Sequence, residues 1–106
     1  MTVEPEHCRA VHAALTGGAP VDVPVESVAS SALGASRIGE LPFAVLRAAD
    51  ALPLLFTDAE ILAARDRLWE ELRLRVEPAA AAPFAAWLAG RVPAGPTCLV
   101  LCGAND

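Results

Sequence analysis

The sequence contains no lysine, and this limits the chemistry that its side chains can perform. All eight basic residues are arginines. A Schiff base with a carbonyl cofactor or substrate needs an amine, so none of these side chains can form one. The remaining reactive groups are carboxylates, three thiols and two imidazoles.

The thiols belong to Cys8, Cys98 and Cys102. Their odd number and the absence of CxxC spacing predict free thiols in a reducing compartment, not a disulfide framework or a zinc site. His7 and His12 are five residues apart and point to different faces of a helix, which argues against a chelating pair. We expect both to be surface histidines.

The composition excludes several classes of protein. The net charge is −5, and the arginines of residues 65–75 alternate with acidic residues, so no basic face for nucleic acid is expected. No apolar run reaches the 18 residues of a membrane helix, and the acidic N-terminus lacks the apolar core of a signal peptide. These features predict a cytoplasmic protein that binds neither nucleic acid nor membrane.

Hydrophobic periodicity predicts most of the elements. Residues 5–15 and 38–49 have helical spacing, and a long connection, 19–36, separates them. Residues 52–56 form a short apolar strand that ends at Thr57, where Glu60 completes a capping box. A helix over 58–74 should bury Ile61, Ala64, Leu68, Leu72 and Arg75 on one side and carry arginines in its last turn.

Two further elements follow towards the C-terminus. Residues 79–89 predict a buried helix that Pro83 interrupts near its start. Residues 98–101 predict a fully buried strand, and residues 102–105 the turn that leaves it. A third strand begins at Thr2.

Helices that alternate with continuous apolar strands are typical of the α/β class with a parallel sheet covered on both faces. Two or three strands are too few for a self-sufficient sheet of this kind. We therefore expect residues 1–106 to form a single partial domain whose missing part lies N-terminal to Met1.

The order of five short signatures resembles the C-terminal portion of fold-type-II pyridoxal-phosphate enzymes, the threonine and serine dehydratase group. The resemblance covers essentially the whole chain. The signatures are Val3-Glu4-Pro5-Glu6, Ser27-Val28-Ala29 with Leu33-Gly34, Thr57-Asp58-Ala59-Glu60-Ile61, Val76-Glu77-Pro78 and Val100-Leu101-Cys102-Gly103-Ala104-Asn105.

This resemblance implies two cofactor-binding residues. Cys102 matches the Ser or Cys that faces the pyridine nitrogen of pyridoxal phosphate, and Glu77 matches a glutamate close to the ring. A neutral group at the ring nitrogen makes a weaker electron sink than a carboxylate would, but one sufficient to eliminate a β-hydroxyl. Alternatively, Glu77 caps the helix that begins at Pro78.

The resemblance also implies a divalent-cation site, with the Glu4 carboxylate and the backbone carbonyl of Cys8 as oxygen ligands. The third ligand position falls on Ala10, so one carboxylate of the family pattern is lost. Near the cofactor, Ala80 stands where relatives often have Gly, and Ser30-Ser31 where many have Asp-Gly.

Three hypotheses follow for function. The chain is part of a lyase that converts threonine or serine to a 2-oxo acid and ammonia; it would be inactive alone, because a companion chain would supply the Schiff-base lysine and the phosphate-binding loop. Alternatively, it is a stand-alone non-catalytic binding or regulatory module that uses residues 19–36 as its contact surface. The third possibility is a truncated gene product without a function of its own.

Overall fold

The computed structural model describes residues 1–104 and has the predicted α/β architecture. Its elements, in chain order, are β1 (Thr2–Pro5), α1 (Ala10–Gly17), α2 (Ser30–Leu33), α3 (Glu40–Ala48), β2 (Pro53–Phe56), α4 (Asp58–Leu72) and α5 (Pro78–Leu88). The two strands pair in parallel, with Thr2 opposite Pro53 and Pro5 opposite Phe56. Among the described residues, no helix is both long and apolar enough to cross a membrane.

The main core lies where α4 and α5 pack against β2. Its larger members are Leu54, Phe56, Ile61 and Leu68, and they meet a row of buried alanines on α5. Alanine side chains let two helices approach closely, so the alanine-rich sequence of α5 permits close packing against α4. A second, smaller cluster joins Ala10 and Ala13 of α1 to Val23.

The capping box that begins α4 is confirmed. Thr57 Oγ1 accepts the Glu60 amide at 3.2 Å, and the Glu60 carboxylate accepts the Thr57 amide at 2.8 Å. The other end of α4 differs from prediction: the helix stops at Leu72, and Arg73 adopts left-handed backbone with φ 55°. No basic residue lies in the last turn, Leu72 is 58% exposed, and Arg75 follows the helix on the surface.

Two helix predictions also need correction. Helix α1 begins at Ala10 and not at residue 5, because Thr2–Pro5 are used in β1 and a turn follows them. Pro83 lies inside α5 without interrupting it. A proline removes one amide donor from a helix, and the packing of the surrounding alanines outweighs that loss here.

The prediction of a buried strand at residues 98–101 is wrong. These residues belong to neither strand, and Val100 is 67% exposed. A strand needs a neighbouring strand to bond its backbone, and within residues 1–104 the sheet holds β1 and β2 alone. Asn105, the last residue of the predicted turn, lies outside the described residues.

Candidate functional site

Glu77 and Cys102, the two predicted cofactor-binding residues, are brought to the same end of α5. The Glu77 amide donates to the carbonyl of Gly103 at 2.9 Å, which ties the residue after Cys102 to the start of the helix. Cys102 itself is exposed. This backbone hydrogen bond brings Glu77 close to the residue that follows Cys102, although the two are far apart in the sequence.

The side chain of Glu77 is not used as a helix cap. Glu77 occupies the N-cap position with extended backbone, but its carboxylate makes no capping hydrogen bond. Its Oε1 lies against Gly103, where an added Cβ would approach it to 3.1 Å. A side chain at position 103 would therefore require the carboxylate to shift by a few tenths of an ångström. The capping alternative is not realised.

A cleft of about 450 Å³ opens beside Glu77, between α4 and the connection to α5. Arg65, Asp66 and Trp69 line it from α4, and residues 74–78 line it from the connection. The Arg65 guanidinium bonds the neighbouring Asp66 carboxylate at 3.0 and 3.2 Å. One ion pair therefore lies in the cleft wall.

Asp58, the first residue of α4, holds the loop that precedes α2. Asp58 Oδ1 accepts the Ser27 hydroxyl at 2.6 Å, and Oδ2 accepts the Val28 amide at 3.3 Å. The Ser27 hydroxyl oxygen in turn accepts the Ala29 amide at 3.2 Å, and Ala29 is buried. Helix α2, which carries Ser30 and Ser31, contacts α5. Asp58 thereby fixes the loop that leads into α2, and α2 contacts α5, the helix that begins at Pro78.

Glu4, a predicted cation ligand, binds the N-terminus of α1 instead of standing free. Its Oε1 and Oε2 accept the amides of Val11 and His12 at 2.9 and 2.8 Å. The side chain of Arg9, the N-cap residue, accepts no amide of α1. The Glu4 carboxylate therefore provides the cap from β1. Burial raises the pKa of the Glu4 carboxyl, and the hydrogen bonds from the Val11 and His12 amides act against that rise. Sequence reasoning missed this role, although a helix starting without a capping residue was a usable signal.

Cys8, whose carbonyl is the other predicted cation ligand, has a buried side chain. Burial raises the pKa of its thiol, and the neighbouring Ser27 side chain partly offsets the rise. Within residues 1–104, no group of three or more His, Cys, Asp or Glu side chains is arranged to hold a metal. A cation held by Glu4 and the Cys8 carbonyl stays a prediction.

The two histidines differ from each other. His7 is exposed, as predicted. His12 is half-buried, and its buried Nδ1 has no hydrogen-bond partner among residues 1–104, so the surface prediction is wrong for this residue. All three cysteines are free thiols.

The described residues thus form an α/β segment with two parallel strands and helices packed over them, in which Glu77 and Gly103 meet at the start of α5. The pyridoxal-phosphate dependent enzyme family matches residues 1–103. The chain belongs to that family.

Solved structures agree with this assignment. Threonine deaminase from T.th. is 28% identical, with a TM-score of 0.76, and the match covers 86% of this chain and 34% of that one. Serine racemase from Dictyostelium discoideum is 26% identical, with a TM-score of 0.71, covering 81% and 27%. Maize serine racemase, 24% identical with a TM-score of 0.74, covers the same shares and shows the fold alone.

The chain thus spans about a third of the length of the structures it matches. A search of the curated proteins found no match.

The residues present fit one side of pyridoxal phosphate. Gly103 leaves room for the Glu77 carboxylate, and the neighbouring Cys102 is open to a ligand. The covalent anchor cannot come from a side chain of this chain, because the sequence has no lysine.

Proposed function

We propose that this chain forms the C-terminal wall of the cofactor site in a pyridoxal-phosphate-dependent ammonia-lyase, which converts threonine or serine to a 2-oxo acid and ammonia. The observation that carries the proposal is the Glu77–Gly103 backbone bond, which gathers Glu77 and Cys102 at one place. The similar proteins named for threonine and serine support a β-hydroxy amino acid as substrate.

Each residue has a separate role in this proposal. Cys102 faces the pyridine nitrogen. A carboxylate at this position would keep that ring nitrogen protonated, whereas a thiol does not. Glu77 lies beside the ring, kept in position by the hydrogen bond that its backbone amide donates to the Gly103 carbonyl. When bound, pyridoxal phosphate supplies the electron sink for loss of the β-hydroxyl.

The proposal requires a companion that carries the lysine and the phosphate-binding loop. No side chain here can provide the amine, so the chain alone is expected to be inactive. A reducing compartment such as the cytoplasm suits its three free thiols.

Reconstitution tests this function. The purified chain is mixed with the lysine-bearing remainder of the T.th. threonine deaminase and pyridoxal phosphate. We expect a cofactor absorbance band and release of 2-oxobutanoate from threonine or pyruvate from serine, neither of which the chain gives alone. Association of the two parts without an absorbance band or turnover would contradict the proposal and favour the non-catalytic module.

Variants of the two site residues sharpen the test. Cys102→Ala should lower kcat about tenfold through loss of one hydrogen bond to the ring, whereas Cys102→Ser keeps a neutral polar group and should keep most activity. Glu77→Gln should alter the cofactor absorbance band. Glu70→Gln, at an exposed position on α4, is the matched control and should leave the band unchanged.

A further inference from the structure

Helix α3 is apolar on two opposite sides. Phe43 and Leu46 are half-buried, on the side where α3 contacts α1. Leu41 and Val45 lie on the other side of the helix and are 75% and 58% exposed. Four residues separate this pair, so the two side chains lie one above the other on the same face. An apolar helical face of this kind is usually buried, but within residues 1–104 this one is open.

Small residues complete the exposed face. Ala44 and Ala48 lie between and beyond the two larger side chains, and both are exposed. Alanines let a second helix approach closely, to an axis separation of about 8 Å. We call this surface the outer face of α3, and it consists of Leu41, Ala44, Val45 and Ala48.

Two opposite charges border the outer face on one flank. Glu40 lies in the first turn of α3 and Arg47 in the last turn. Seven residues make almost two full turns, so both side chains lie on the same flank but about 10 Å apart along the axis. Arg47 Nη1 donates to the carbonyl of Gly18 at 3.1 Å, and its guanidinium lies 5.7 Å from the centroid of the Phe43 ring. These contacts hold the positive charge at that end of the helix.

We propose that the outer face of α3 binds the outer face of a second copy of this chain, as an antiparallel helix pair on a two-fold axis. A two-fold axis places the same patch on both sides of the interface. In the antiparallel arrangement, Glu40 of each copy lies beside Arg47 of the other, on the same flank. Leu41 of each copy then packs near Val45 of the other.

The charges favour this occupant and this direction. A parallel pair would place Glu40 beside Glu40 and Arg47 beside Arg47, which is repulsive. The antiparallel pair makes two opposite-charge contacts, and these reduce the repulsion between two chains that each carry a net charge of −5. A nine-residue helix is only about 14 Å long, and its contact area is well below the roughly 800 Å² per partner of a stable complex. We therefore expect a weak dimer that forms at high protein concentration.

Sedimentation equilibrium over a range of concentrations tests the apolar part of the interface. Val45→Gln places a polar group in the centre of the pair and should weaken the dimer Kd about tenfold. Val100→Gln is the matched control, because Val100 is 67% exposed and lies outside α3, and it should leave the Kd unchanged. Circular dichroism of each variant checks that the chain still folds.

Charge reversal tests the direction of pairing. Glu40→Arg and Arg47→Glu each place like charges together at both ends of the pair, so each variant alone should self-associate about fivefold more weakly. An equimolar mixture of the two variants restores an opposite-charge contact at both ends and should recover the original Kd. If Arg47→Glu does not fold without its bond to Gly18, the comparison of Val45→Gln with Val100→Gln decides.

Other results would overturn the inference. These are a chain that stays monomeric at every concentration, equal effects of Val45→Gln and Val100→Gln, or a mixture of charge variants that associates no better than either variant alone. A companion chain as the occupant is tested with the lysine-bearing remainder of T.th. threonine deaminase. If Val45→Gln weakens binding of this probe but not self-association, the outer face belongs to the companion. Turnover in the reconstituted enzyme bears on the proposed function alone, so the two proposals fail separately.

Discussion

Glu4 shows how one buried carboxylate can join two elements. It lies on β1, and its two oxygens accept the amides of Val11 and His12 in the first turn of α1. A negative charge at a helix N-terminus is favourable, whereas burial of that charge is costly. Burial is the larger effect, since the pKa of Glu4 is raised.

The raised pKa predicts how stability changes with pH. The folded chain binds a proton at Glu4 more tightly than the unfolded chain does, so this contribution is fully present below the ordinary glutamate pKa, about 4.3, and is lost as the pH rises through the folded value. Thermal unfolding of the native chain and Glu4→Gln should be compared from about pH 4 to about pH 7. We expect the stability of the native chain relative to Glu4→Gln to fall with rising pH. If the stability of the native chain relative to Glu4→Gln rises with pH instead, the two hydrogen bonds from backbone amides outweigh the cost of burying the carboxylate.

At the scale of elements, α4 illustrates that a helical face is only as buried as its neighbours make it. Ile61, Ala64 and Leu68 are buried against β2 and α5. Leu72 continues the same spacing but is exposed, because the chain turns at Arg73 and leads away from the core. Periodicity therefore identified the face but overestimated its length.

This difference predicts unequal costs for the same substitution at two positions. Leu68→Ala creates a cavity in the main core and should lower the free energy of unfolding by about 2–5 kcal/mol. Leu72→Ala, the matched control one turn later, should change it by less than about 0.5 kcal/mol. Urea denaturation measures both. Equal losses would mean that the end of α4 is packed in solution.

Sequence reasoning succeeded for elements whose signals are local. The capping box at Thr57, the strand that precedes it and the alanine-rich α5 each depend on residues close in sequence. It failed at residues 98–101, because an apolar run pairs as a strand only when a neighbouring strand is present. Glu77 and Cys102 were named from resemblance, and their spatial association came from a hydrogen bond that no local pattern encodes.

For the whole molecule, packing is uneven. The main core gathers residues from β2, α4 and α5, whereas α3 buries none of its nine residues. Large apolar side chains stay exposed on α3 and α4, among them Leu41 and Val45 on α3 and Trp69 on α4. Such a surface is typical of a chain that contacts further protein.

Uneven packing predicts uneven local stability. Amides in the buried turns of α4 should exchange hydrogen more slowly than those of α3, because opening α4 disrupts the main core and opening α3 does not. Residue-resolved hydrogen exchange of the chain alone measures the difference. Uniform protection of both helices would indicate that the molecule opens as one cooperative unit.

The sequence alone determined the α/β class, the parallel strands, most helices and the lack of a lysine side chain for a Schiff base, since these follow from composition and local periodicity. Only the tertiary structure decided that Glu4 caps α1, that Glu77 joins Gly103 and that residues 98–101 belong to no strand among residues 1–104. The physical reason is that each of these outcomes depends on groups far apart in the chain, which folding brings together or leaves apart.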